Sequence, residues 1–260
     1  MDCPIRKKNI FFLCSLPRAG NTLLGSIINS NDNVKCSPNS INADILNNLI
    51  NLKENIIFKN FPNHNSFDNV VKNVFKNYYQ DWNADTIIDR STWGTPDNLK
   101  YLKTIQDKPK FIILFRPVLE CLSSFLNLEI KYNNLDKKNI EEYVYRLMDR
   151  QTGIIGKSLW SIENLIKTKQ NYKIFYYKDL VNNTNFFLNK LNDYLNLKIK
   201  QPKKLKQFCI NNVYYNDKSL YNFGLHDIDT SSIKNKKHDI DVAKYIPDDI
   251  IKKYRKYNII

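Results

Sequence analysis

Short apolar runs without alternation punctuate this chain: Ile10 to Cys14, Thr86–Asp89, Lys110–Leu114 and Tyr172–Tyr177. Runs of this kind suit parallel strands buried on both faces. Between them, apolar residues recur at helical spacing. Leu23, Leu24, Ile27 and Ile28 follow the first run, and Val118, Leu119, Cys121, Leu122 and Phe125 follow the third. Residues 41–81 predict helices, broken by Phe61-Pro62-Asn63-His64-Asn65-Ser66, with Asn65 or Ser66 as N-cap. Residues 136–168 predict one long or two shorter helices, loosened in the middle by Gly153 and Gly156. Phe186–Leu195 predicts another helix, and a Tyr- and Asn-rich irregular tail from Asn211 ends in a last helix near Asp248–Tyr257. Alternating strands and helices imply a three-layer α/β/α fold around a mostly parallel sheet. No internal repeat or low-complexity linker divides the chain, so one domain over residues 1–260 is expected.

The first strand runs into Ser15-Leu16-Pro17-Arg18-Ala19-Gly20-Asn21-Thr22, a small-residue loop that opens a buried helix. Amides at a helix N-terminus point at a ligand, and the helix dipole favours an anion there. Ala19 and Gly20 keep bulk away from those amides. The order is that of a phosphate loop, yet no Walker A pattern fits, because the basic residue Arg18 precedes the glycine.

The third strand runs into Phe115-Arg116-Pro117 and a helix. Arg116 therefore stands at the carboxyl end of a buried strand, and Ser124 lies eight residues on, about two helical turns later.

Both segments resemble the sulfotransferases that use 3′-phosphoadenosine 5′-phosphosulfate. Pro17-Arg18-Ala19-Gly20-Asn21-Thr22 matches their 5′-phosphosulfate loop, Pro-Arg/Lys-Ser-Gly-Thr-Thr, at four of six positions; Ala19 and Asn21 each lose a hydroxyl. Arg116 and Ser124 match the family's pair that holds the donor's 3′-phosphate, at the same spacing. Asp89-Arg90 is similar to the family's Asp-Lys strand end, and Tyr177-Lys178-Asp179-Leu180-Val181 to its Tyr-Glu-Asp-Leu-Val. The resemblance covers roughly residues 8 to 197, in a style closest to bacterial and to carbohydrate and tyrosyl-protein members. It implies the P-loop NTPase-like fold of that family and transfer of a sulfuryl group to an acceptor hydroxyl or amine. It implies Arg18, Ala19, Gly20, Asn21, Thr22, Leu23, Arg116, Ser124 and Tyr177 as the donor site, with adenosine 3′,5′-bisphosphate as product. Arg18 would meet the charge that develops on the bridging oxygen, and Arg90 would face the transferring sulfate. No metal is required.

The general base is open. Where relatives acting on carbohydrate or protein tyrosine place a Glu, this chain reads Cys36-Ser37-Pro38-Asn39-Ser40. His64 is the candidate by loop order, with His226 and Asp89 as the others.

A length of 260 residues with 42% hydrophobic content is enough for one large domain with a proper core. The formal net charge of +14 is spread over scattered lysines, and the one dense tract is Lys198, Lys200, Lys203, Lys204 and Lys206. No nucleic-acid motif accompanies them, so no specific nucleic-acid partner is expected. A positive cleft would instead speed capture of an anionic donor. Cys3, Cys14, Cys36, Cys121 and Cys209 show no CxxC pairing, which suits a reducing compartment. The apolar run near the start is too short for a signal segment or membrane span, so a cytoplasmic location is expected. The acceptor is a small molecule, a carbohydrate or a peptide. Two further readings stay open: a P-loop-like nucleotide kinase, and a catalytically inactive nucleotide- or nucleic-acid-binding module.

Overall fold

In a computed structural model, which describes residues 8–205, 209–215 and 245–255, β1 (Asn9–Ser15) runs through the middle of a parallel sheet. Around it stand β2 (Val34–Cys36), β3 (Thr86–Arg90), β4 (Phe111–Phe115) and β5 (Tyr172–Tyr176), in the order β2-β3-β1-β4-β5. β4 is buried along its whole length, and β1 from Phe12 onward. That is why both read as unbroken apolar runs. Phe12 packs edge-on against Trp93 at 5.2 Å and tilts against Phe75 and Phe111, each at 5.7 Å. The core therefore lies directly beneath the middle of the sheet.

Helices fill the crossovers. α1 (Asn21–Asn29) leads to β2, and α2 (Asn42–Asn51), α3 (Ile56–Asn60), α4 (His64–Lys72) and α5 (Val74–Tyr78) lead to β3. α6 (Pro96–Ile105) leads to β4, and α7 (Val118–Tyr132), α8 (Ile140–Met148) and α9 (Ile154–Lys167) lead to β5. α10 (Tyr177–Asn182) and α11 (Thr184–Leu195) follow. The chain leaves β1 towards β2 on one side and leaves β4 towards β5 on the other. In an open parallel sheet the crevice for a ligand forms at such a reversal, outside the carboxyl ends of the strands. The loops after β1 and β4 are the ones that carry Arg18 and Arg116.

The four expected strands are present, but several local details differ. β2 and α6 were not anticipated. β2 has three residues, too few to show a pattern. The break before α4 is capped by Asn63, whose side chain accepts from the Ser66 amide at 3.1 Å, rather than by Asn65 or Ser66. His64 is consequently the first residue of α4, not a loop residue. Residues 136–168 form two helices, separated where Asp149 accepts from the amides of Gln151 and Thr152. Gly156 tightens that junction instead of loosening it, since a Cβ there would come within 2.2 Å of the Asp149 carbonyl. Tyr177 starts α10 rather than ending β5. The tail is not irregular at its start. β6 (Cys209–Ile210) and β7 (Val213–Tyr214) pair as a hairpin across Asn211 and Asn212, with φ of 50° and 63°. Asn tolerates that left-handed turn. The last helix, α12, is Asp248–Arg255.

Candidate active site

Leu16 leaves β1 into a tight turn in which the Ala19 amide donates to the Leu16 carbonyl at 3.4 Å. Pro17 and Leu16 are buried, and Arg18 takes φ 64°. That left-handed conformation is costly for a residue with a Cβ, so it holds only where the surroundings impose it. Arg116 imposes it: its Nη1 donates to the Arg18 carbonyl oxygen at 2.9 Å. Asn21 braces the same loop, its Nδ2 donating to the Leu16 carbonyl at 2.9 Å, while its buried Oδ1 has no partner. Ala19 is fully buried.

Gly20 then turns the chain into α1 at φ 87°. Its missing side chain is required twice. Positive φ favours glycine, and a Cβ would lie 2.7 Å from Cδ2 of the Tyr177 ring. Tyr177 thus lies on the loop from the α10 side, and the Arg116 guanidinium lies over its ring at 4.6 Å. Glu120, one helical turn beyond Arg116 on α7, accepts from Arg116 Nε at 2.9 Å. The guanidinium is therefore fixed in plane and orientation, and only 8% of Arg116 remains exposed. From the next turns of α7, the buried Ser124 hydroxyl accepts from Arg18 Nε at 3.1 Å. Arg18, Gly20, Arg116, Ser124 and Tyr177, far apart in the chain, form one constellation at the β1/β4 reversal.

Thr22 and Leu23 continue the first turn of α1, with Thr22 buried and Leu23 half-buried. Arg90 ends β3 and joins the same sheet edge: its Nε donates to the Ser15 hydroxyl at 3.3 Å. Its Nη1 binds the Pro38 carbonyl and the Asn39 side chain, and its amide donates to Ser37. Arg90 so ties the 37–40 loop to the end of β1.

Asp89 is fully buried and receives hydrogen bonds from Ser40 (2.9 Å), Asn42 (2.8 Å), Tyr79 (2.7 Å) and Trp93 (3.0 Å). Burial pushes its carboxyl above the usual range, and the four donors pull it part of the way back. Its lone pairs are taken up by the fold, which makes it an anchor between β3, α2 and α5. His64 is exposed and its ring meets Phe58 edge-on at 5.2 Å; the contacts described for it do not include Arg18, Arg90 or Arg116. His226 lies outside the described residues. Among the described residues no group of three or more His, Cys, Asp or Glu is placed to hold a metal ion, and no helix is long and apolar enough to cross a membrane.

The residues that sequence reasoning missed are supports. Glu120 had a signal, its helical spacing from Arg116. The Leu16 carbonyl, Ser15 and Asn39 had none, because their roles depend on how distant strands align.

No curated protein matches the chain. Three solved structures share 10–18% identity with it. The sulfotransferase domain of the Synechococcus PCC 7002 olefin synthase is 18% identical, covering 77% of this chain and 78% of that one, with a TM-score of 0.47. The sulfotransferase domain of the curacin biosynthetic pathway is 18% identical, covering 74% and 75%, with a TM-score of 0.46. The sulfotransferase STF9 from Mycobacterium avium is 10% identical, covering 76% and 66%, with a TM-score of 0.44. The model of the sulfotransferase domain family matches residues 8–258, and the chain belongs to that family.

Proposed function

We propose that this sulfotransferase uses 3′-phosphoadenosine 5′-phosphosulfate as donor and releases adenosine 3′,5′-bisphosphate. The observation that carries this reading is the convergence of Arg116 and Ser124 on Arg18 at the mouth of the β1 loop. Two phosphate-binding positions beside each other suit a donor phosphorylated at both 3′ and 5′. In this reading Arg116 and Ser124 take the 3′-phosphate. The loop of Ala19, Gly20 and Asn21, with Thr22 and Leu23 at the start of α1, takes the 5′-phosphosulfate, and Tyr177 lies near the nucleotide.

Transfer forms a bond from the acceptor oxygen or nitrogen to sulfur. It breaks the bond from sulfur to the bridging oxygen, the electron pair stays on the donor's 5′-phosphate, and the acceptor's proton passes to a base or to water. Arg18 stabilises that developing charge, and Arg90 orients the sulfuryl oxygens. One preorganised cation at such a position is worth on the order of 3 kcal/mol in the transition state. The acceptor is a small molecule, carbohydrate or peptide with a free hydroxyl or amine. Cys14, Cys36 and Cys121 packed as free thiols in the core fit a cytoplasmic, reducing location.

The test is calorimetry with adenosine 3′,5′-bisphosphate, AMP, and ATP with magnesium. The reading expects the bisphosphate to bind at least about 30-fold more tightly than AMP, the effect of one charged hydrogen-bonded contact. Equal binding of AMP, or selective binding of ATP with magnesium, would overturn it.

A further inference from the structure

Remote from the β1 loop in its contacts, the segment joining α2 to α4 turns apolar side chains outward. Ile56 and Ile57 are each 78% exposed and Phe61 75%, with Leu52 and Val70 about half exposed beside them. Such side chains gathered on one short stretch differ from the scattered exposed residues that any surface carries. Next to them, α2, α4 and α6 enclose an open cleft of about 440 Å³. Its charged lining is Lys53, Glu54, Asp68, Lys72 and Lys100.

The two carboxylates are already matched. Lys53 Nζ lies 2.8 Å from Asp68, and Lys59 Nζ lies 2.7 Å from Glu54. Lys72 and Lys100 make no ion pair among the described residues, and they leave the cleft with positive charge beside an apolar ridge. We propose that this face docks on an anionic phospholipid bilayer. Ile56, Ile57 and Phe61 would enter the headgroup boundary, and Lys72 and Lys100 would meet lipid phosphates. The protein would lie on the membrane without spanning it.

Two observations favour this occupant. The ridge and the basic cleft are adjacent, which is the combination that surface-seeking segments use. The chain's formal net charge of +14 attracts it to an anionic surface as a whole. This inference does not depend on the identity of the sulfuryl donor.

The experiment is flotation of the full chain with phosphatidylcholine vesicles, with and without phosphatidylserine, at low and high salt. Binding should require the anionic lipid and weaken with salt. Lys72→Ala with Lys100→Ala should lower partitioning about 30-fold, from roughly fivefold per lysine near the surface. Ile57→Ser with Phe61→Ser should lower it at least about tenfold. Both variants should unfold at the parent's temperature and bind the bisphosphate unchanged, because all four side chains are away from the donor site. Three results would overturn the proposal. One is equal binding, or no binding, to both vesicle types. Another is a dimer in ultracentrifugation that Ile57→Ser with Phe61→Ser dissociates, which would make the ridge a self-interface. The third is saturable binding of inorganic phosphate at Lys72 and Lys100 without vesicle binding, which would make the cleft a site for a free anion.

Discussion

Arg116 Nη1 donates to the carbonyl oxygen of Arg18 at 2.9 Å, across 98 residues of chain. With Glu120 on its Nε and Tyr177 beneath its face, one guanidinium holds the loop and stands where we propose the donor's 3′-phosphate to bind. Arg116→Ala should therefore lower affinity for adenosine 3′,5′-bisphosphate by about 2–3 kcal/mol. AMP separates the two roles by calorimetry. If Arg116 acts on the 3′-phosphate, AMP affinity stays nearly constant; if it acts by holding the loop, both ligands lose equally. Arg116→Lys should recover only part of the loss, since an ammonium cannot serve Glu120, the Arg18 carbonyl and a phosphate in one plane.

Arg18 carries backbone strain at the loop proposed to hold the donor. Its φ of 64° costs on the order of 1 kcal/mol for any residue with a Cβ. Arg18→Gly should thus unfold at a higher temperature than Arg18→Ala, although both lose the bond to Ser124. Both should lower transfer by about two to three orders of magnitude, while bisphosphate affinity falls much less because the loop amides and helix end remain. Arg18→Lys should recover part of the rate. Single-turnover transfer from labelled donor beside calorimetry measures both quantities. Equal losses in rate and binding would make Arg18 a plain anchor.

Gly20 and Tyr177 form a coupled pair. Gly20→Ala puts a methyl group 2.7 Å from the Tyr177 ring and strains a φ of 87°. The single variant should destabilise the fold by about 2 kcal/mol, combining the backbone term with a displaced ring. Adding Tyr177→Ala should relieve the collision and leave the backbone term. Denaturant unfolding of the four-member cycle would then show a coupling of at least about 0.5 kcal/mol. Strict additivity would mean that the ring moves aside at no cost.

Much of this site was legible because its residues sit where pattern and chemistry coincide. The apolar runs ending at Cys14 and Leu114 marked two buried strands, and a small-residue loop and an arginine directly after them marked the strand ends that converge in the structure. The spacing from Arg116 to Ser124 placed both on one helix-and-strand-end unit. β2 was illegible, since Val34–Cys36 gains its strand geometry from pairing with β3 and not from its own sequence. α6 did carry a signal, Pro96 at its first turn with Leu99, Leu102 and Ile105 at helical spacing. The bond between Arg18 and Ser124 and the brace from Asn21 could not be read at all, because they depend on how β1 and β4 align.

The core thiols make stability sensitive to alkali. Burial pushes Cys14, Cys36 and Cys121 from 9.0 up to about 12. In the unfolded chain the same thiols ionise near pH 9. A pKa raised by folding gives stability that is complete below the unfolded value and is lost as pH rises towards the folded one. The window is therefore from about pH 9 to about pH 12. Each thiol removes about 1.4 kcal/mol per pH unit there, so the three together should cost on the order of 4 kcal/mol between pH 8 and pH 10. Denaturant midpoints at these two values measure the drop, and in Cys36→Ala it should shrink by about a third. The folded protein at pH 8 should also leave these thiols unreactive towards a thiol reagent, since the thiolate is the reactive form. A flat stability profile, with rapid labelling of the three, would mean that water reaches this part of the core.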